Sequence, residues 1–228
     1  MTWLGIDTSG DVAVALVRTD GTSRTVGDDA PRRHVEQLAP FVRDVLAAEG
    51  LGVGDLQGIA VGTGPAPFTG LRVGLVTARV LGLALGVPVW GVPSHDALAA
   101  AAADVLDEGT PLLVVTDARR REVYWTAYDV RDGAAVVVGG PDVAAPADVP
   151  RRTGEVVVGG GRDVHPEVFG AVETPASDRA AGLRAPDPAL LVRLAVARSA
   201  AGEPLPTEPL YLRRPDAQPP TARKRALA

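Results

Sequence analysis

Cysteine is absent from the 228 residues, which excludes a disulfide scaffold, a thiol nucleophile and a Cys-ligated zinc or iron-sulfur centre. Histidine is scarce. His34, His95 and His165 each stand alone: the positions three and four beyond His34 are Gln37 and Leu38, and those beyond His95 are Leu98 and Ala99, so no helix face carries a metal-binding pair. There is no G-x-S-x-G elbow. The basic residues are nearly all arginine, with Lys224 the only lysine, and the net charge of -5 argues against a broad nucleic-acid footprint while leaving room for a local patch. Met1 leads into Trp3, Leu4 and Ile6 without a basic n-region or cleavage site, so the expected location is the cytoplasm and no membrane is expected as a partner. The longest apolar helical pattern carries Arg72 and Arg79 and reads as short of a membrane span.

What is present is a large apolar fraction, 46%, enough for one large domain or two small lobes. The stretch Val61 to Val92 organises it. A short apolar run (Leu56, Ile59, Ala60, Val61) ends in a Gly/Pro loop, Gly62 to Pro67. A helical pattern from Thr69 to Leu85 follows, stopped by Gly86 and Pro88, and a second apolar run from Val87 to Val92 completes a parallel βαβ unit. Within that helix Gly70, Gly74, Ala78 and Gly82 recur every four residues. Each interior glycine costs a helix about 1 kcal/mol relative to alanine, so the bare stripe must admit another backbone closely. It packs either inside the chain's own core or against another subunit.

Before this unit come an antiparallel meander (Leu4 to Ile6, Val12 to Val17, near Ser23 to Val26, with Asp20-Gly21 as a hairpin turn) and an amphipathic helix from Arg33 to Glu49 with Pro40 inside it. After it, Ser94 or Asp96 can cap a helix through Ala97 to Leu106. The first unit, 1-108, thus reads βββαβαβα. The second, 109-214, opens with another meander: Pro111 to Thr116, Val123 to Tyr128, an Asp132-Gly133 turn and Ala134 to Val138. A strand near Gly154 to Gly161 and a helix from Pro188 to Ala201 complete a smaller, less regular lobe. The tail 215-228 lacks apolar periodicity, ends basic and is expected to be disordered.

The loop Gly62-Thr63-Gly64-Pro65-Ala66-Pro67 before a helix invites comparison with a phosphate cradle, but Pro65 and Pro67 have no N-H to offer and the Walker lysine is missing. Paired meanders, each with an aspartate after its first strand (Gly5-Ile6-Asp7-Thr8-Ser9-Gly10 and Thr116-Asp117-Ala118-Arg119), are the arrangement with which the actin, Hsp70 and sugar-kinase superfamily grips nucleotide phosphates. Here the second turn continues as Arg119-Arg120-Arg121, where such a hairpin favours glycine.

The segments GIDTS, RRHVEQLAPFV, GTGPAPFTGLRVGLVTARVLGLALGVPVWGVPSHDAL, DARRREVYWTAY and PLYLRRP, in this order from about Trp3 to Pro215, resemble the TsaB (YeaZ) family, with Ala66-Pro67 departing from the usual Gly-Ser. The resemblance implies an α/β, two-lobed actin/Hsp70-like (ASKHA, RNase H-like) duplicated fold, each lobe a mixed sheet with flanking helices. It implies a non-catalytic subunit that partners TsaD in transferring a threonylcarbamoyl group to the adenosine next to the anticodon of tRNAs. A TsaE-type ATPase in a larger complex, a homodimer when alone and an indirect relation to tRNA are further implied. TsaD-type proteins carry a His-x-x-x-His metal pair where this chain has Ser94 and Leu98, so no resident metal and no catalytic residue is expected. Family members pair through the two first-lobe helices, which here offers His34, Leu38, Val42, Thr69, Gly70, Arg72, Val73, Gly74, Thr77, Ala78, Leu81 and Gly82 as interface residues. The alternative is an active ASKHA-type ATPase or kinase, or a metallopeptidase-like enzyme. Asp7, Thr8, Ser9 and Asp117 would then bind nucleotide; weak or shared ATP/ADP binding fits the subunit reading too. A direct tRNA contact by Arg119 to Arg121 or by the Arg223-Lys224-Arg225 tail stays open beside the plainer reading of a solvated charge run.

Overall fold

The computed structural model describes residues 1–28, 34–170 and 175–213. The expected disorder of 215-228 falls outside the described residues, as does the basic tail. Strands β1 (Thr2–Asp7), β2 (Val12–Arg18) and β3 (Ser23–Asp28) form the first meander, followed by α1 (His34–Ala47), β4 (Gly58–Gly62), α2 (Phe68–Leu85), β5 (Val89–Val92) and α3 (Ser94–Ala103). The βββαβαβα order is therefore present, in one five-stranded sheet ordered β3-β2-β1-β4-β5 with β1, β4 and β5 parallel.

The second sheet repeats the plan with β6 (Pro111–Asp117), β7 (Val123–Arg131), β8 (Ala134–Ala144) and β9 (Val156–Val158), ordered β8-β7-β6-β9 with β9 parallel to β6. Both central residues of the Asp132-Gly133 turn have positive φ, as a two-residue hairpin loop of this hand requires. Strand β8 runs six residues beyond the expected Val138, through Gly139, Gly140 and Pro141. It is an edge strand, where a proline costs no ladder bond to a further neighbour. Short helices α4 (Gly161–Val164), α5 (Pro166–Phe169) and α6 (Pro175–Ala180) follow β9.

One part of the expected second unit returns to the first. Helix α7 (Pro188–Ala200) lies on the first sheet, with Ala189, Leu191, Val192 and Ala195 buried among Trp3, Ala15, Val17, Ala60 and Val92. Trp3 and Trp90 stack at 4.4 Å in the same layer. Gly5 makes this possible, since a Cβ there would sit 2.2 Å from the Pro188 carbonyl oxygen. The residues after α7 continue as a strap. The Gly91 N-H donates to the Leu205 carbonyl, and the Leu210 N-H to that of Thr63. A pairing set by residues more than a hundred positions apart leaves no local periodicity, so the 109-214 boundary describes the sequence better than the packing.

The opposite face of the first sheet carries α1 and α2. Leu4, Ile6, Val14, Leu16, Ile59 and Val61 meet Leu38, Val42, Val45 and Leu46 from α1, and Leu71, Leu75 and Ala78 from α2. The glycine stripe of α2 points into this core. A Cβ at Gly74 would lie 2.4 Å from Thr8 Oγ1, one at Gly70 2.9 Å from the Thr8 carbonyl oxygen, and one at Gly82 2.1 Å from a methyl of Val89. Ala78 is fully buried. The stripe is thus an internal close approach of α2 to the β1–β2 turn and to β5. Helix α2 is long and apolar enough by composition to cross a membrane, contrary to the expectation above, but one flank lies on the sheet and Arg72 and Arg79 are bonded to the strap.

Gly74→Leu is expected to destabilise the fold by about 1–3 kcal/mol or more, because overpacking against the Thr8 turn forces backbone movement. Urea unfolding of the isolated protein measures this.

Candidate functional site

The start of α3 is the junction between the lobes. Ser94 is fully buried, but its hydroxyl does not cap α3: it donates to Asp7 Oδ2 at 2.7 Å and accepts the Gly64 N-H at 3.2 Å, while the Ser94 N-H donates to the Gly64 carbonyl. Asp96, the other expected cap, instead accepts the Tyr128 hydroxyl at 2.8 Å and pairs with Arg198 at 2.8 Å. The Gly/Pro loop is thereby fixed by α3, which is a structural use of its backbone groups and leaves Gly64 turned inward. His95, next along, bridges Thr126 and Thr116, each at 2.8 Å, so it ties α3 to β7 and β6. Leu98 is buried in the second core.

Asp7 and Thr8 are buried, and Ser9 is half-buried. Asp7 Oδ1 accepts both the Ser9 N-H and hydroxyl, and Thr8 Oγ1 donates to the Gly70 carbonyl. The Asp7 carboxylate is therefore occupied by protein donors. Gly62 is required beside it, because a Cβ there would come within 1.9 Å of Oδ2. Asp117 sits at the equivalent end of β6 but turns to its own loop, accepting the Arg119 N-H at 2.7 Å and pairing with the Arg119 guanidinium at 3.1 Å. The residues offered for nucleotide thus stand at corresponding strand ends, each already engaged within the chain.

The β6–β7 turn is unusual. Arg119, Arg120 and Arg121 have φ of 63°, 56° and 62°, a left-handed run of exposed arginines. For residues with a Cβ this costs on the order of 1 kcal/mol each. The Glu122 N-H closes the turn on the Arg119 carbonyl, and Arg213, at the end of the strap, donates to the Ala118 carbonyl and pairs with Glu122.

Burial holds the His95 imidazole neutral, its pKa pushed down to about 3. Burial raises the Asp7 carboxyl, against the opposing hydrogen bonds from Ser9 and Ser94. The two shifts change stability with pH in opposite senses, in windows that meet on the acid side. The unfolded chain protonates His95 below about pH 6.5 while the native state resists to about 3, so stability falls with acid across that window. Native Asp7 keeps its proton above the ordinary carboxylate range, so its contribution falls as pH rises through the raised value.

Of the expected interface residues, Leu38, Val42, Gly74, Ala78 and Gly82 are buried within the chain and present nothing to a partner. A bare stripe would serve an interface only if it faced outward; this one faces the sheet. Gly70, Val73, Thr77 and Leu81 are half-buried, and Thr69 and Arg72 are exposed or nearly so. Arg72 lies 5.4 Å from both the Phe68 and the Tyr211 rings and donates to the Tyr211 hydroxyl, so it braces the strap. His34 begins α1, but its side chain lies outside the described residues. The outward face of α2 is instead Val76, Val80 and Leu83, exposed by 58%, 59% and 87%. With Thr69 and Val73 they step by four, three, four and three residues, the spacing of a helix-pairing seam. The sequence carried that signal on the side opposite the glycines. The outer residues of α1 (Glu36, Ala39, Arg43, Asp44, Ala47) form no such row.

The sequence model of the TsaD family, tRNA N6-adenosine threonylcarbamoyltransferase, matches residues 25–156, more than half of the chain. An uncharacterized Mycobacterium leprae protein is 43% identical over 226 residues, 96% of this chain and 56% of that protein. The tRNA threonylcarbamoyladenosine biosynthesis protein TsaB of Escherichia coli is 34% identical over 125 residues, 55% of this chain and 54% of that one. The matches thus span about half the length of these relatives. In three dimensions YeaZ from Pseudomonas aeruginosa aligns with a TM-score of 0.75 and 29% identity, over 92% of this chain and 99% of YeaZ.

His95→Gln is expected to remove the loss of stability as pH falls from 6.5 to about 3, a slope of at most about 1.4 kcal/mol per pH unit, and Asp7→Asn to remove the loss of opposite sign that sets in as pH rises above the ordinary carboxylate value. Urea midpoints across pH for the three proteins measure both. Matching the TsaD family over more than half its sequence and YeaZ over nearly its whole fold, the chain belongs to the TsaB (YeaZ) family of tRNA threonylcarbamoyladenosine biosynthesis proteins.

Proposed function

We propose that this chain is a non-catalytic subunit that docks a TsaD-type protein through the exposed seam of α2, holding it for transfer of a threonylcarbamoyl group to tRNA. The observation that carries the reading is the exposed apolar trio Val76, Val80 and Leu83, continued toward the helix start by half-buried Val73 and exposed Thr69, on a helix whose other side is packed on the sheet. Exposed apolar rows of this kind mark sites of association. A helix seam also suits a partner of the same fold, which brings an equivalent helix. In the isolated protein a second copy takes that place. A TsaE-type ATPase would join the larger assembly elsewhere on its surface, in the cytoplasm where tRNA is.

The absence of a chemical role here is supported by what occupies the corresponding positions. Ser94 is spent on Asp7 and Gly64, Leu98 is in the core, and Asp7 is surrounded by protein donors. A nucleotide-dependent enzyme would need Asp7 and Asp117 free to meet metal and phosphate, which would require breaking these contacts first.

Val80→Glu with Leu83→Arg is expected to weaken binding to the same organism's TsaD-type protein at least about tenfold, while stability changes by no more than about 0.5 kcal/mol. Titration calorimetry paired with urea unfolding checks both, and undiminished binding would remove the seam from the account. Turnover of Mg-ATP by the isolated chain would favour the enzyme reading instead.

A further inference from the structure

We infer that Arg72 and Arg79 select what docks on α2 by charge: they favour a partner helix that carries carboxylates along its facing flank over a second copy of this chain. The inference rests on the docking reading above and concerns the chemistry of the partner. The row Thr69, Val73, Val76, Val80 and Leu83 fixes a heptad register, with Thr69, Val76 and Leu83 at d and Val73 and Val80 at a. Arg72 and Arg79 then both fall at g, on one flank of the row. The e positions on the other flank are Gly70, Thr77 and Ala84, none of them charged. Charges at e and g set partner choice and orientation when helices pair.

Both arginines also have uses within the chain, and these leave their charge in place. Arg72 donates from Nε to the neutral Tyr211 hydroxyl and lies beside the Phe68 and Tyr211 rings, which hold the guanidinium without neutralising it. Among the described residues it has no ion pair. Arg79 donates to the hydroxyl and the carbonyl of Thr207, and its ion pair with Glu208 spans 3.7 Å between two exposed side chains. A pair so exposed contributes little. With Glu208 counted, the flank still carries two guanidiniums to one carboxylate.

A second copy packed α2 on α2 meets this flank poorly. No Asp or Glu lies between Phe68 and Leu85, so the second α2 has nothing to pair with either guanidinium. Antiparallel, it sets arginine against arginine; parallel, it sets arginine against Gly70, Thr77 or Ala84. The apolar row can still hold two copies together, but the ion pairs call for a different helix. That helix carries Asp or Glu at g if it runs antiparallel to α2 and at e if it runs parallel. The same two side chains thus disfavour the wrong partner and favour the right one.

The experiment measures binding of the full chain to the same organism's TsaD-type protein by titration calorimetry, and self-association by sedimentation equilibrium, from low salt to about 0.5 M, where exposed charges are screened. The proteins are wild type, Arg72→Gln with Arg79→Gln, and Arg72→Lys with Arg79→Lys. At low salt the Gln pair should bind the partner about three- to tenfold more weakly than wild type, two exposed charge pairs being lost, while self-associating as tightly or more tightly. At high salt the two should converge. The Lys pair keeps the charge but not the guanidinium fork on the strap, so its partner binding should keep the wild-type salt dependence. A wild-type complex that does not weaken with salt would overturn the inference. So would a loss in the Gln pair that is equal at every salt concentration, which would mean that the arginines act only through the strap. Val80→Glu with Leu83→Arg is measured beside them: if it binds the partner undiminished, the docking reading falls and this inference with it. If it loses binding while the Gln pair binds like wild type, docking stands and selection by charge falls.

Discussion

The approach of α2 to the β1–β2 turn is the constraint from which the rest follows. Gly74 leaves room for the Thr8 side chain, and the Thr8 hydroxyl in turn bonds the Gly70 carbonyl, so helix and turn lock at a distance no larger residue permits. That lock places Asp7 against Gly62 and Ser94, which ties the end of β1 to the Gly/Pro loop and to the start of α3. From α3, His95 reaches β6 and β7. The series of contacts joins both lobes through buried side chains. They hold the structure together.

The same lock determines what α2 shows to solvent. With its small residues committed to the sheet, the helix cannot turn its valines and Leu83 inward. Its Arg72 and Arg79 are engaged by Tyr211 and Thr207 of the strap, so one flank of the row is braced. Buried and exposed faces are thus both apolar, and only one of them is covered by the chain itself.

This explains how far the sequence could be read. The order of elements in the first lobe followed from periodicity and from Gly/Pro punctuation, and the second meander from its Asp-Gly turn. The glycine stripe announced a close approach but carried no information on which side the neighbour lay, since a four-residue repeat of small residues has the same form against a strand or another subunit. Leu38 and Val42 failed as interface residues for a related reason: apolar periodicity marks the face toward the core before any other. Ser94 looked like a helix cap because its type and position allowed it, while its hydroxyl goes to an aspartate 87 positions earlier. The return of α7 and the strap to the first sheet is equally long-range. The strained conformation of Arg119 to Arg121 was foreshadowed only by the expectation of glycine there.

The central claim is that the chain works by being held along the outer row of α2. Its lack of cysteine makes the test direct. A single Leu83→Cys protein should react quickly with a thiol reagent when alone at low concentration, and be strongly protected once saturated with its TsaD-type partner, while a Val164→Cys control, also on an exposed residue, should react equally in both states. Protection at both positions or at neither, in a complex shown to be formed, would contradict the account.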